Sequence, residues 1–252
     1  MGPFRVLTAV AALVALSALA TAPRAIALTL LTEENPPFNY TEKGKLVGSG
    51  AEIVAEMAQR AKLPVKTEVL PWEKAYVRAQ AEKETCLFST ARLENRERLF
   101  LWVGPIAINV WVVYGPSSFK TPIRSLVDLK PYRIGGVVAD AKPEYLRENG
   151  VTNIRALPDD RQNPPRLALP VDDPDHIDLW VAGLYGAKEL AKSVNVTDLK
   201  PVYTVRELPL YVACSPQTNP ATLKALNDAL ESIKADGTLK RITADYERKF
   251  AQ

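Results

Sequence analysis

Cysteine, histidine and methionine are scarce in this chain, and neither sign of charge is in large excess. The 252 residues include two Cys, one His and two Met, and 32 Lys and Arg against 29 Asp and Glu give a formal net charge of +3. Two cysteines are too few for a miniprotein held together by several disulfides. The single histidine, His176, has no second His or nearby Cys to complete a metal site. The basic stripe of a nucleic-acid binder is also missing, so we predict no metal, no cofactor and no nucleic-acid partner.

The rest of the composition is that of a globular protein with a full-sized core. Hydrophobic residues make up 47% of the chain and charged residues 24%. Disordered and collagen-like chains lie far from these values. A chain of this length forms either one large domain or two compact lobes.

The N-terminal segment has the order of a secretory signal peptide. A positive start at 1–5 precedes an apolar run over 6–20, and the small residues Ala25 and Ala27 end the segment. The apolar run falls short of the roughly 20 residues that cross a bilayer, which argues against a membrane anchor. We predict a signal peptide over 1–27, with cleavage near Ala20 as the alternative, and an exported monomer in the periplasm.

The cysteines Cys86 and Cys214 would then enter an oxidising compartment, where a disulfide is permitted. Both stand in apolar runs, where small buried thiols are also common. The sequence is therefore consistent with a disulfide and with two free, buried thiols.

Strand-like and helix-like segments alternate along the remaining chain, which predicts α/β units with a mainly parallel sheet. The predicted strands cover 28–32, 65–70, 85–89, 133–138, 153–157 and 177–181, and the predicted helices cover 51–61, 73–82, 143–149, 186–193, 221–235 and 239–250. A hairpin is predicted around 42–47, and four prolines leave 158–170 as a loop with one possible helical turn near Pro164.

Two apolar runs interrupt the alternation, at 100–114 and 208–214. Gly104 and Pro105 are expected to split the first run. A complete strand and helix series lies between the two runs, so we predict that the chain crosses twice between two lobes, near 103–113 and 205–213. Lobe one then comprises 28–104 and 210–252, and lobe two, inserted in it, comprises 105–209.

Several motifs in this order resemble one known family. They are Thr32-Glu-Glu-Asn-Pro-Pro-Phe-Asn-Tyr40 followed by Gly44-Lys-Leu-Val-Gly48, Ser89-Thr-Ala-Arg-Leu-Glu-Asn-Arg96 ahead of Trp102-Val-Gly-Pro105, and Asp236-Gly-Thr-Leu239. The chain is similar to the type 3 extracytoplasmic solute-binding proteins that serve polar amino-acid ABC importers. The resemblance implies the type II periplasmic binding protein fold, in which two α/β lobes close on a small polar solute, and a transient partner in a membrane ABC permease.

Candidate ligand contacts follow from the lobes themselves, because ligands of open α/β sheets bind beyond the carboxyl ends of the strands. Arg96 leads, since a guanidinium offers paired donors to a carboxylate, and it coincides with the family's carboxylate-gripping arginine. Aromatic residues form the walls of such clefts. We predict no catalytic residue and this set of ligand contacts: Glu33, Phe38, Tyr40, Trp72, Ser89, Thr90, Arg92, Arg96 and Asp140. Arg92 is either a second anion-binding group or a solvent-exposed side chain.

Two positions depart from the family pattern. Asp140 stands where the family commonly has Thr or Ser, and Gly183 stands where its amino-acid binders usually have an Asp that holds the ligand ammonium. The ligand is therefore left open among a non-standard amino acid, a cationic solute held by Asp140, and a carboxylate without an α-amino group. Two other functions also stay open: a dehydratase-like enzyme with Glu33 or Asp140 as acid or base, and a ligand-sensing subunit.

The predicted signal peptide leads to the first testable prediction. We expect exported protein to begin at about Leu28, because the small-x-small ending at Ala25 and Ala27 fits signal peptidase. The intact mass of periplasmic material measures the new N-terminus. Recovery of the full-length chain in the membrane fraction would contradict this prediction.

Overall fold

The computed structural model of the chain describes residues 27–250. The predicted signal peptide lies outside the described residues except for Ala27. Within the described range, no helix is long and apolar enough to cross a membrane.

Ten strands and seven α-helices alternate along the described chain. The strands are β1 (Leu28–Thr32), β2 (Tyr40–Glu42), β3 (Lys45–Val47), β4 (Val65–Val69), β5 (Thr85–Ala91), β6 (Leu101–Gly115), β7 (Ile134–Val137), β8 (Ile154–Leu157), β9 (Leu179–Gly183) and β10 (Lys200–Cys214). The helices are α1 (Ser49–Arg60), α2 (Trp72–Ala81), α3 (Ala141–Glu148), α4 (Asn163–Arg166), α5 (Ala187–Ser193), α6 (Pro220–Ala235) and α7 (Thr238–Phe250). Short 3-10 helices lie at Glu94–Leu99, Leu126–Leu129 and Asp160–Gln162.

Eight of the strands are hydrogen-bonded in the order β4-β1-β5-β10-β6-β9-β7-β8. The outer strands of each half are parallel: β1 pairs with β4 and β5, and β7 pairs with β8 and β9. The two central strands, β6 and β10, pair antiparallel along most of their length. The sheet is therefore mixed: the outer strands are parallel, as expected, whereas the two crossing strands run antiparallel to each other and to their neighbours.

The two crossing strands join the halves. Strand β10 pairs with β5 through its last residues, whereas β6 pairs with β9 through residues 111–114. Gly104 and Pro105 do not split the first apolar run, contrary to expectation, since β6 continues through both residues. A register shift opposite them, between Leu210 and Val212 of β10, accommodates the irregular backbone. The predicted lobe boundaries at 104/105 and 209/210 stay a prediction.

Each half has its own apolar core. In the first, the predicted helical spacing of α1 buries Ile53, Val54 and Met57 against strand β1 and helix α6. In the second, Ile134 of β7 and Leu179 of β9 pack with residues of α3 and β6. Separate cores are what two lobes need in order to move relative to each other without breaking either one.

The proline-rich stretch forms more regular structure than a loop. A 3-10 turn at Asp160–Gln162 leads into α4, and Pro164 occupies an early position of this short helix. Proline is tolerated there because its missing N–H would have no intrahelical partner. The one helical turn predicted near Pro164 is therefore present.

A disulfide joins Cys86 and Cys214, which face each other on β5 and β10. It connects positions separated by 128 residues in sequence. Both side chains are fully buried in the first core. The bond thus ties the last crossing strand to the sheet of the first half.

The disulfide generates a stability prediction. Cross-linking distant residues restricts the unfolded chain, so we expect Cys86→Ala with Cys214→Ala to lower the free energy of unfolding by about 2 to 4 kcal/mol. Urea unfolding of the oxidised wild type and the double variant measures the difference. The reduced wild type serves as a control, because it removes the bond without removing the sulfur atoms. Equal stability of all three forms would contradict the prediction.

Candidate functional site

The carboxyl ends of strands from both halves meet between the halves. Glu33 follows β1, Trp72 begins α2 after β4, and Arg96 lies in the 3-10 helix after β5. From the other half, Asp140 follows β7 and Asp160 follows β8. Strand polarity thus brings side chains that are far apart in sequence to one cleft.

Direct contacts cross this cleft. The indole Nε1 of Trp72 donates to the backbone carbonyl of Ala139 at 2.7 Å, and Arg96 Nη2 donates to the same oxygen at 3.0 Å. Arg96 Nη2 also binds the Glu144 carboxylate of α3 at 2.5 Å. The two halves are therefore in the closed arrangement.

Arg96 is the most deeply buried charged residue of the cleft, with 1% of its side chain exposed. Its guanidinium lies 5.4 Å from the ring centre of Trp72 and 4.9 Å from that of Tyr76. These faces attract a cation and fix the plane of the guanidinium. Among the described residues, Nε and Nη1 have no hydrogen-bond partner. Arg96 therefore has two oriented donors that the fold leaves free.

A cavity of about 10 Å³ lies between the halves, room for about one water molecule. Trp72, Asn109, Trp111 and Leu210 form part of its wall, and the polar residues Glu33, Ser89, Arg96, Asp140 and Lys142 also line it. A larger solute does not fit into this volume. Binding of an amino-acid-sized ligand in this cavity, next to Arg96, therefore requires the halves to move apart and close again.

Three acidic groups of the cleft, Glu33, Glu144 and Asp160, have raised pKa values, and burial is the largest cause in each. Burial, with the nearby Asp140 carboxylate, raises the pKa of Glu33 to about 8, although Lys142 and Arg96 oppose the shift. Burial likewise raises the pKa of Asp160 to about 6, against the lowering effect of Lys142. In the closed arrangement Glu33 is therefore mostly protonated at neutral pH, whereas Asp160 is mostly ionised.

Asp140 is engaged by its own helix. Its side chain caps α3 by accepting from the backbone N–H of Lys142 at 2.8 Å, and it pairs with Lys142 Nζ at 3.0 Å. Burial alone lowers the pKa of Lys142, but the Asp140, Asp160 and Glu33 carboxyls outweigh it and raise this pKa overall. The role of Asp140 as a ligand contact stays a prediction, and here its charge is matched by Lys142.

The three predicted aromatic contacts lie in different places. Trp72 lines the cavity, and 3% of it is exposed. Phe38 is buried behind the cleft against Trp111 and Leu210. Tyr40 lies on an outer groove, where its hydroxyl accepts from Lys249 at 2.7 Å and its ring packs on Phe250.

The polar candidates around β5 also separate. Ser89 lines the cavity with a positive φ of 59°, and its Oγ has no partner among the described residues. Thr90 is fully buried and donates to the Leu87 carbonyl at 3.0 Å. Arg92 is exposed, pairs with Glu97 and lies over the rings of Trp102 and Tyr211. The structure thus brings Glu33, Trp72, Ser89, Arg96 and Asp140 together and leaves Phe38, Tyr40, Thr90 and Arg92 outside the cavity lining.

Asn109, Lys142 and Asp160 were not predicted from the sequence. Asn109 stands in an apolar strand, so only its polarity within the run 100–114 could have marked it. Lys142 follows Asp140 by two residues, and that proximity was the available signal. Asp160 stands in the stretch expected to be a loop, where acidic residues are common. The side chain of Asp160 accepts from Trp180 at 2.7 Å and from Asn163 at 2.8 Å.

Two α/β halves, joined by two strands and closed over a buried arginine, define a two-lobed solute-binding protein. Residues 28–249 match the bacterial extracellular solute-binding proteins, family 3. The chain belongs to this family, and the resemblance seen in its motifs is confirmed.

Individual relatives are distant but similar along most of the chain. The L-cystine-binding protein TcyJ of Escherichia coli (strain K12) is 23% identical over 215 residues, which cover 84% of this chain and 78% of that protein. A histidine kinase sensor domain with similarity to periplasmic binding proteins has a TM-score of 0.77 at 17% identity and covers 87% of this chain and 95% of its own. An ancestral arginine-binding protein bound to arginine has a TM-score of 0.74 at 19% identity, with 90% and 98% covered. These structures share the fold of this chain.

Glu33 generates a prediction on pH. A carboxyl whose pKa is raised in the folded state retains a proton that the unfolded chain releases, so stability falls as pH rises toward that pKa. We expect the free energy of unfolding to decrease between pH 6.5 and 8 in the wild type and to decrease less in Glu33→Gln, which is neutral throughout. Urea unfolding across this range measures both slopes. Parallel slopes would show that Glu33 does not titrate there.

Proposed function

We propose that this chain is an exported periplasmic binding protein that captures an amino acid or a closely related solute as a monomer and presents it to the permease of an ABC importer. The observation that carries the proposal is the buried Arg96, whose Nε and Nη1 donors have no partner among the described residues. A ligand carboxylate is a natural partner for a buried guanidinium with unpaired donors. The family membership supports the same role.

The contact between Arg96 and Glu144 supports a carboxylate ligand. In the closed arrangement the Glu144 side chain of the second half binds Arg96 Nη2 at 2.5 Å. A carboxylate from the protein thus already binds the guanidinium through Nη2. We propose that, when the halves reopen and close on a ligand, the ligand carboxylate replaces Glu144 at Nη2 and also accepts from one of the two unpaired donors, Nε or Nη1.

Relatives of this chain support an amino acid as the class of ligand. One is named for L-cystine binding and another was solved with arginine. We propose that Trp72, Trp111 and Glu33, which line the cavity, form the pocket for the ligand side chain once the halves close on it. We therefore propose an α-amino acid and leave its side chain to experiment.

Two other functions would use the same closure. A sensor would report closure to a membrane partner. The similarity in fold to a histidine kinase sensor domain is the observation that favours this second candidate function. An enzyme would need a positioned acid or base, for which Glu33 with its pKa of about 8 is the candidate. Turnover of a bound solute would support the enzyme, and a two-component sensor gene next to this one would support the sensor.

Screening for thermal stabilisation tests the proposal. We expect at least one of L-cystine, L-arginine, L-glutamine, L-lysine and L-histidine to raise the melting temperature of the mature protein. A ligand that binds only the native state at a hundredfold excess over its Kd stabilises it by about 2.7 kcal/mol. Opines, polyamines and small organic acids complete the screen. Stabilisation by polyamines alone would contradict the role of Arg96 as a carboxylate anchor.

Arg96→Ala tests the anchor itself. Removing one partner of a buried charged pair commonly costs about 2 to 5 kcal/mol, so Kd should rise by well over tenfold for a ligand with a carboxylate. Arg98→Ala is the matched control, because Arg98 lies in the same 3-10 helix and is exposed. Titration calorimetry measures both variants. Equal affinity of Arg96→Ala and wild type would remove Arg96 from the site.

A further inference from the structure

Asn109 is a buried polar residue that the fold itself does not satisfy. It lies in the middle of the crossing strand β6, opposite Leu208 of β10, and 3% of it is exposed. Its Oδ1 has no hydrogen-bond partner among the described residues. Buried polar atoms are nearly always paired, so an unpaired one in a strand of apolar neighbours calls for a physical reason.

The unpaired oxygen shares its cavity with unpaired donors. Ser89 and Arg96 line the same cavity as Asn109, and Ser89 Oγ and the Nε and Nη1 atoms of Arg96 likewise have no partner among the described residues. The cavity therefore combines a cationic set of donors with a separate acceptor. A molecule that carries both an anionic acceptor group and a donor group matches this combination.

The neighbouring strand leaves room for the Asn109 amide. Gly183 ends β9, and a Cβ atom placed on it would lie 3.2 Å from Asn109 Oδ1. The φ angle of Gly183 is not positive, so its backbone does not require glycine. A side chain at position 183 would press against the amide oxygen. Glycine at position 183 thus leaves the space that the Asn109 amide oxygen occupies.

Closing the empty cleft leaves all of these atoms without partners, because closure removes them from water. A bound solute that supplies partners removes this penalty and favours the closed arrangement. Asn109 is well placed for this coupling, since it belongs to one of the two strands that join the halves.

We propose that the side-chain oxygen of Asn109 accepts a hydrogen bond from the ligand's α-ammonium group, so that Asn109 and Arg96 together select a zwitterionic α-amino acid. The inference rests on the proposed function, because it assumes a carboxylate at Arg96. It assigns the ammonium contact to the crossing strand and not to the end of β9, where Gly183 has no side chain.

The experiment compares each amino acid with its des-amino analogue in calorimetric titrations at pH 8. The pairs are L-arginine with 5-guanidinopentanoic acid, L-glutamine with glutaramic acid, and L-cystine with 3,3′-dithiodipropionic acid. We expect the wild type to bind at least one amino acid more than tenfold tighter than its analogue. In Asn109→Leu the amino acid should bind at least tenfold more weakly while the analogue changes little, so the preference collapses.

Asn109→Asp distinguishes an acceptor role of the Asn109 side chain from a donor role. An amide offers a donor and an acceptor, whereas a carboxylate only accepts. If Asn109 accepts from an ammonium group, Asn109→Asp should bind the amino acid as tightly as the wild type or more tightly. Weakening as large as in Asn109→Leu would show a donor role and overturn the proposal. Asn227→Leu and Asn227→Asp, on the exposed face of α6, are the matched controls.

The outcomes distinguish this inference from the proposed function. If the wild type binds none of the five amino acids of the thermal screen, both fall. If Arg96→Ala abolishes binding and Asn109→Leu leaves the preference for the amino acid unchanged, the proposed function stands and the role of Asn109 is overturned. Thermal melting of the unliganded variants guards against misfolding. Asn109→Leu replaces an unpaired polar atom by an apolar one, so its melting temperature should be equal to that of the wild type or higher.

Discussion

The antiparallel pairing of β6 with β10 is the constraint on which the rest of the structure depends. Each strand is 15 residues long, and together they belong to both halves of the sheet. The disulfide between Cys86 and Cys214 fixes the end of β10 to the first half. Two strands hydrogen-bonded in this way allow bending between the halves while keeping the cleft residues in register. The separate cores on either side let each half move as a unit.

The closed cleft combines contacts that favour closure with polar atoms that oppose it. Trp72 and Arg96 both bind the carbonyl of Ala139 across the cleft, and Arg96 binds Glu144. Against these contacts stand the unpaired atoms of Ser89, Asn109 and Arg96 itself. A binding protein requires the open and closed forms to differ little in free energy. The contacts of a ligand can then shift the population toward the closed form.

The acidic groups of the cleft are either paired with a nearby cation or held protonated. Asp140 and Lys142 form an ion pair at the N-terminus of α3, and the Glu33 carboxyl is mostly protonated at neutral pH because of burial and the Asp140 charge. Opening the cleft would hydrate Glu33 and return its pKa toward the ordinary range. From the raised pKa of Glu33 we therefore expect closure of the empty protein to favour proton uptake by this carboxyl.

The sequence by itself determined the elements and their alternation, because helical spacing in α1 and strand-like runs such as 28–32 are local properties of the chain. It also predicted Arg96 and Trp72 in the cleft, since residues that follow strands gather at one edge of a sheet. It did not predict that β6 continues through Gly104 and Pro105, which depends on the register shift in the partner strand β10. Only the tertiary structure showed that Tyr40 faces an outer groove and that Arg92 pairs with Glu97. The position of Asn109 beside Gly183 was also visible only in the tertiary structure. A contact between two strands that are distant in sequence produces no local sequence pattern.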